Sequence, residues 1–154
     1  MKISDFLVPR AIQILLKGKT KKAVMEELVA KLVDAEKLVD KKKVMQVLMD
    51  REELGSTGVG HGIAIPHGKC DSVKDLVAAF GVSKTGVAFD ALDGEPVYLV
   101  FLLVAPEKQA GAHLKALAKI SGLLKDKYFR KALLQAATVE EVLKIIEEEE
   151  LRSH

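Results

Sequence analysis

Apolar residues along the chain fall into blocks of different period. Val24, Leu28 and Leu32 recur every fourth residue, the spacing that aligns side chains on one helix face. Thr20 stands where an N-cap belongs, so a helix is predicted from there to about Ala35. Asp40 is placed to cap a second helix to about Glu53, with Val44, Val47, Leu48 and Leu54 turned inward and Gly55 stopping it. Before these, AIQILL (Ala11 to Leu16) reads as a first strand. After them, Ile63-Ala64-Ile65 and Val77 to Val82 read as strands, and Gly86 to Phe89 as a short, antiparallel third. VYLVFLLV (Val97 to Val104) is apolar at every position, the pattern of a strand covered on both faces, and Pro106 marks its end.

Helices return in the last third. Ala112 to Leu124 offers Leu114, Leu117 and Leu124 for packing, and Asp126 to Ala137 forms a second helix. Thr138-Val139-Glu140-Glu141 is a capping box opening a third helix, whose acidic Glu147 to Glu150 end is expected to be frayed and solvated. Strands alternating with helices predict a three-layer α/β/α fold, a central mixed sheet flanked by helices on both faces. No repeat, low-complexity tract or Pro/Gly/Ser-rich linker divides the sequence, so residues 1–154 read as one domain.

Composition narrows the partners. The 154 residues carry 24 basic and 22 acidic side chains, a net charge of +2, too balanced for a general binder of nucleic acid or membrane surfaces. Aromatic residues are 5% with no Trp, which removes the stacking platforms of single-strand binders. The longest uncharged apolar run, Val97 to Ala105, is far short of the roughly 20 residues a membrane helix needs. The first residues lack the apolar stretch of a secretory signal. Cys70 is the only cysteine, so no intrachain disulfide is possible, in keeping with a cytoplasmic location.

Candidate chemistry concentrates between Ser56 and Lys69, STGVGHGIAIPHGK. From Gly55 to Gly68, five glycines (55, 58, 60, 62 and 68) let backbone N–H groups approach a ligand and cradle an anion. Ser56 and Thr57 add hydroxyls. His67 follows a buried-type strand, where open α/β sheets place their sites, and an imidazole is neutral and nucleophilic enough to take a phosphoryl group. This stretch does not match a P-loop, because Gly68-Lys69 is followed by Cys70 rather than Ser or Thr. Taken alone, the same stretch also suits an ordinary glycine-rich turn.

The whole string closely resembles the phosphorylation-site motif of enzyme IIA domains of the fructose/mannitol/nitrogen-regulatory type (EIIA type-2), from the bacterial phosphoenolpyruvate-dependent phosphotransferase system. The resemblance extends over nearly the whole chain: the opening ISDFLVP, the REEL before STG, the segment from Phe89 to Pro106, and the HLKALA that follows. It implies the mixed sheet with helices on both faces. It also implies a phosphotransferase component rather than a free-standing small-molecule enzyme. His67 would accept the phosphoryl group from phospho-HPr or its nitrogen-branch relative. The recipient would be a cysteine on an enzyme IIB domain, or phosphorylation would control binding to a regulatory target. The lack of IIB or IIC segments and the ISDFLVP opening point to a stand-alone nitrogen-regulatory member, with a sugar-specific IIA component as the alternative.

By the same resemblance His113 is the second site histidine and Arg51 stabilises the phosphate. Ser56 and Thr57 serve either phosphate or the loop. His61 departs from the motif, which usually has asparagine there; it either braces the backbone or titrates near the site. A zinc site of His61, His67 and His113 has the right nitrogen count, but no carboxylate can be placed behind it, and no metal or cofactor is expected. Cys70 reads as a small, half-buried side chain, and Lys41-Lys42-Lys43 as a solvated face.

Overall fold

The apolar run near residue 100 forms β6 (Val97–Ala105) at the centre of the fold. Its side chains alternate between two cores, as the pleat of a strand requires. Val100, Leu102 and Val104 face one, and Leu99, Phe101, Leu103 and Ala105 face the other. The computed structural model describes residues 1–152. Its other elements are β1 (Leu7–Gln13), α1 (Lys21–Asp34), α2 (Lys41–Glu53), β2 (Gly58–Gly60), β3 (Ile63–Ala64), β4 (His67–Lys69), β5 (Val77–Val87), α3 (Ala110–Leu123), α4 (Lys127–Gln135) and α5 (Val139–Arg152).

The described residues form one mixed sheet of order β1-β5-β6-β3-β2, with β4 also paired to β6. β1 runs parallel to β5, and β5 antiparallel to β6. β3 and β4 both lie parallel to β6, with Ala64 opposite Val100 and His67 opposite Leu103. They are two halves of one line of chain interrupted at Ile65-Pro66. Helices α1 and α2 cover one face of the sheet, and α3, α4 and α5 cover the other. The expected three-layer α/β/α architecture is therefore present. Within the second core Phe80 and Phe101 are fully buried, their tilted rings 4.6 Å apart.

The caps expected at Thr20 and Asp40 form, and Asp126 caps α4 in the same way. Thr20 Oγ1 accepts from Ala23 N, Asp40 Oδ1 from Lys43 N, and Asp126 Oδ1 from Tyr128 N and Phe129 N. Each satisfies a backbone donor the helix itself leaves free. At α5, Glu141 N donates to Thr138, and the Glu141 carboxylate reaches back to Ala137 N.

Several expectations are corrected. The first strand begins at Leu7 and ends at Gln13, not at Ala11 to Leu16, because Pro9 is tolerated on this edge strand, where the register shifts between Leu7 and Ile12. The two strands expected over 77–89 are one, β5, bent where its register against β6 shifts between Val82 and Val87. Gly86 lies in that bend at φ +87°, and a Cβ there would sit 3.0 Å from Pro96 Cβ. β2 and β4 were not expected as strands at all; each is only three residues long.

Two leucines assigned inward lie outside. Leu54 is 85% exposed, because α2 has already ended at Glu53. Leu114 is 67% exposed, because the buried stripe of α3 is His113, Ala116, Ile120 and Leu123. The acidic end of α5 is not frayed. Glu149 and Glu150 are each 5% exposed. Glu150 Oε2 accepts from Ile3 N at 2.8 Å and faces Lys119 Nζ at 3.6 Å, while Glu149 pairs with Arg152. Cys70 is fully buried rather than half-buried, its thiol 3.4 Å from Ser72 Oγ.

Candidate functional site

Beyond Pro66 the chain resumes as β4, which places His67 and Lys69 on one side of the strand and Gly68 on the other. Gly68 packs so closely on α2 that a Cβ would come within 2.6 Å of Val47 Cγ1. The last turn of α2 and the first turns of α3 converge on this strand. Together they form an open groove of about 970 Å³ whose lining includes His67, His113, Arg51 and Lys69. Leu54 and Leu114, the two misassigned leucines, line it as well.

The imidazoles of His67 and His113 stand 5.4 Å apart between ring centroids, tilted by 50°. His67 Nδ1 lies 2.8 Å from the Ile65 carbonyl. A carbonyl only accepts, so Nδ1 carries the proton in this contact and Nε2 holds the free lone pair. Burial lowers the pKa of His67, with Arg51 acting in the same direction; the Ile65 bond and Glu52 act against it. His113 is pushed down to about 4 by burial, by its neighbour His67 and by Lys69. Both rings are thus neutral near pH 7. His113 Nε2 is buried and has no hydrogen-bond partner among the described residues.

Arg51 reaches the groove while its Nη1 donates to Gly55 O at 2.8 Å, bracing the turn that follows α2. Of the five residues singled out by sequence, His67, His113 and Arg51 are brought together. Ser56 and Thr57 are not among the groove residues. Ser56 Oγ bonds Phe89 O and Gly58 N, and Thr57 is buried with its hydroxyl and N–H on the Glu52 carboxylate. Their hydroxyls are committed to the loop.

His61 also lies away from the groove, in the β2–β3 turn, with φ +57° and its N–H on Asp93 Oδ2 at 3.1 Å. Histidine and asparagine are both enriched in this left-handed region, which accounts for their exchange here. Among the described residues no three His, Cys, Asp or Glu side chains converge as a metal site.

Sequence reasoning missed Lys69 and Glu52. Lys69 had a signal, since it lies two residues after His67 on the same side of one strand. Glu52 had none, because a glutamate late in a helix normally faces solvent.

Fold and groove define a three-layer α/β/α domain with a pair of neighbouring imidazoles in an open groove. The profile of the phosphoenolpyruvate-dependent sugar phosphotransferase system, EIIA 2, matches residues 5–149, and the chain belongs to that family. It is 41% identical over 146 residues to the fructose-specific EIIABC component of Bacillus subtilis (strain 168), covering 95% of this chain but only 23% of that much longer relative. It is 39% identical to a nitrogen regulatory protein of Bradyrhizobium diazoefficiens, with 95% of each chain covered. The crystal structure of nitrogen regulatory protein IIA-Ntr from Neisseria meningitidis superposes with a TM-score of 0.87 at 38% identity, covering 94% of this chain and 98% of that one. No helix among the described residues is long and apolar enough to cross a membrane.

Proposed function

We propose that the chain is a phosphocarrier of the phosphotransferase system and that His67 Nε2 is the accepting atom. The carrying observation is the contact between His67 Nδ1 and Ile65 O, which leaves Nε2 as the nucleophile beside a second neutral ring. In the transfer, the Nε2 lone pair forms the new N–P bond. The bond to the donor's imidazole breaks, and its electron pair returns to the donor nitrogen. Catalysis then consists of alignment and charge neutralisation. Arg51 and Lys69 supply the positive charge, and His113 is within reach of the phosphoryl oxygens. Ser56 and Thr57 support the loop rather than the phosphate.

The donor is phospho-HPr or its nitrogen-branch relative, and transfer takes place in the cytoplasm. The nitrogen regulatory relatives, at 39% and 38% identity, support a protein whose phosphorylation state controls target binding. The fructose-specific relative, slightly more identical over the same length, supports the second reading: delivery to a IIB cysteine for sugar uptake.

The test is the intact mass after incubation with phosphoenolpyruvate, enzyme I and HPr, and separately with the nitrogen-branch donors. One acid-labile phosphate is expected on the wild type and none on His67→Ala. Uptake by His67→Ala, or none by the wild type with either donor set, would reject the assignment. The donor set giving faster uptake separates the two readings.

A further inference from the structure

Behind the groove runs a chain of contacts that begins at a buried ion pair and ends on the His67 ring. Lys21 Nζ, at the start of α1, lies 3.0 Å from Glu52 Oε1, and the Glu52 side chain is 3% exposed. Both Glu52 oxygens accept from Thr57 N at 3.2 Å, and Oε2 also accepts from the Thr57 hydroxyl. Thr57 O in turn accepts from Ile65 N at 3.0 Å. The other end of that residue, Ile65 O, takes the His67 Nδ1 proton at 2.8 Å. Glu52 itself does not line the groove, although its neighbours Arg51 and Glu53 do.

We propose that Glu52, held by Lys21, is a positioning residue that fixes the Ile65 carbonyl through Thr57 and so sets the tautomer and orientation of the His67 ring. The inference deepens the phosphocarrier reading and rests on it for its catalytic meaning. Stability alone is a weak reason for the pair, because a buried ion pair is often no more stabilising than apolar residues of the same volume. Its value here is directional. The carboxylate gathers an N–H and a hydroxyl from one residue of a glycine-rich turn, adding to the bonds that Arg51 and Ser56 make to its neighbours. A catalytic ring displaced by a fraction of an ångström loses its in-line approach to phosphorus. A ring freed from its carbonyl also redistributes its proton between Nδ1 and Nε2, and the Nε2–H form has no lone pair to attack with.

The experiment uses the unphosphorylated chain, with ¹⁵N-labelled histidine and long-range ¹H–¹⁵N correlation spectra to read each ring's tautomer. The variants are Glu52→Gln, Thr57→Val, Thr57→Ser, Lys21→Met and Lys21→Arg, and each is also assayed for its initial rate of phosphoryl uptake. In the wild type His67 should be the Nδ1–H form. Thr57→Val, which keeps the side-chain shape and removes the hydroxyl, should mix the tautomers and slow uptake by roughly tenfold. Glu52→Gln and Lys21→Met should do the same, whereas Thr57→Ser and Lys21→Arg should retain wild-type spectra and rates.

The ring of His61, outside the relay, should not change in any variant. Folded variants of Glu52 and Thr57 that keep a pure Nδ1–H His67 and a rate within twofold of wild type would overturn the proposal. Should Glu52→Gln fail to fold, the Thr57→Val and Thr57→Ser pair decides by itself. The tautomer spectra need no phosphate. If the wild type took up none, the phosphocarrier reading would fall while the spectra still decided whether Glu52 positions the ring.

Discussion

His113 stays neutral in the folded chain down to about pH 4, because charging it would bury a cation beside His67 and Lys69. In the unfolded chain the same ring titrates near the usual value of about 6.5. Between these values the unfolded state binds more protons, so stability rises with pH across that window. It is fully present above about 6.5 and is lost as pH falls towards 4. His67 contributes with the same sign, its pKa also being lowered. Urea unfolding of wild type and His113→Gln at several pH values should show a flatter dependence for the variant between pH 6.5 and 4. Equal slopes would mean that the ring charges freely in the fold. At this scale the sequence was informative for a clear reason. His67 was marked by its glycine-rich stretch, whereas His113 and Arg51 were legible only through the motif the chain resembles, since each alone reads as an ordinary helix-end residue. Leu54 and Leu114 misled, because an exposed leucine beside a groove has the same composition signal as a buried one.

Among the elements, helices were the most legible, since cap and period agree at Thr20 and Asp40. Strands of two or three residues such as β2 and β4 have too few positions to show any period, and their pairing with β6 or β3 is a tertiary fact. The end of α5 failed for the opposite reason. Four consecutive glutamates look solvated, yet the turn at Ile3 and the Lys119 side chain, distant in sequence, give Glu150 partners inside the protein. Glu150→Ala should leave Ile3 N without an acceptor and destabilise the chain by about 1–3 kcal/mol. Its urea midpoint should fall, and amide exchange should rise first at residues 3–6. A variant with wild-type exchange there would show that the contact does not hold the N-terminal turn. The same reasoning explains why the ion pair of Lys21 and Glu52 was invisible: one partner caps no helix, and the other hides among charged neighbours.

Over the whole molecule, one strand of alternating side chains divides the interior into two cores. Phe101 belongs to the core opposite α1 and α2, stacked on Phe80. Truncating Phe101 to alanine should cost about 3–5 kcal/mol, measured as the shift of the unfolding midpoint at constant m-value. A loss below 1 kcal/mol would mean that α3 to α5 collapse into the space. The layer order was legible because VYLVFLLV has no polar face and must be covered twice. The strand order was not, since nothing local says that β3 and β4 line up along the same side of β6.

The partnerless nitrogen of His113 has a thermodynamic meaning for a carrier. A buried polar atom left without any hydrogen bond costs about 1–3 kcal/mol, so a ligand oxygen that reached this nitrogen would be favoured by up to that amount. In the proposed function a phosphoryl oxygen beside His67 would relieve that deficit on loading. The transfer potential of the loaded imidazole would then drop by the same amount, roughly a 5- to 150-fold bias towards retention. A carrier of this kind would behave as a shallow reservoir: it would fill readily and release its cargo only where a recipient's own contacts outweighed those of the second ring. The balance between holding and giving would then be adjustable at a single side chain that never bonds to phosphorus.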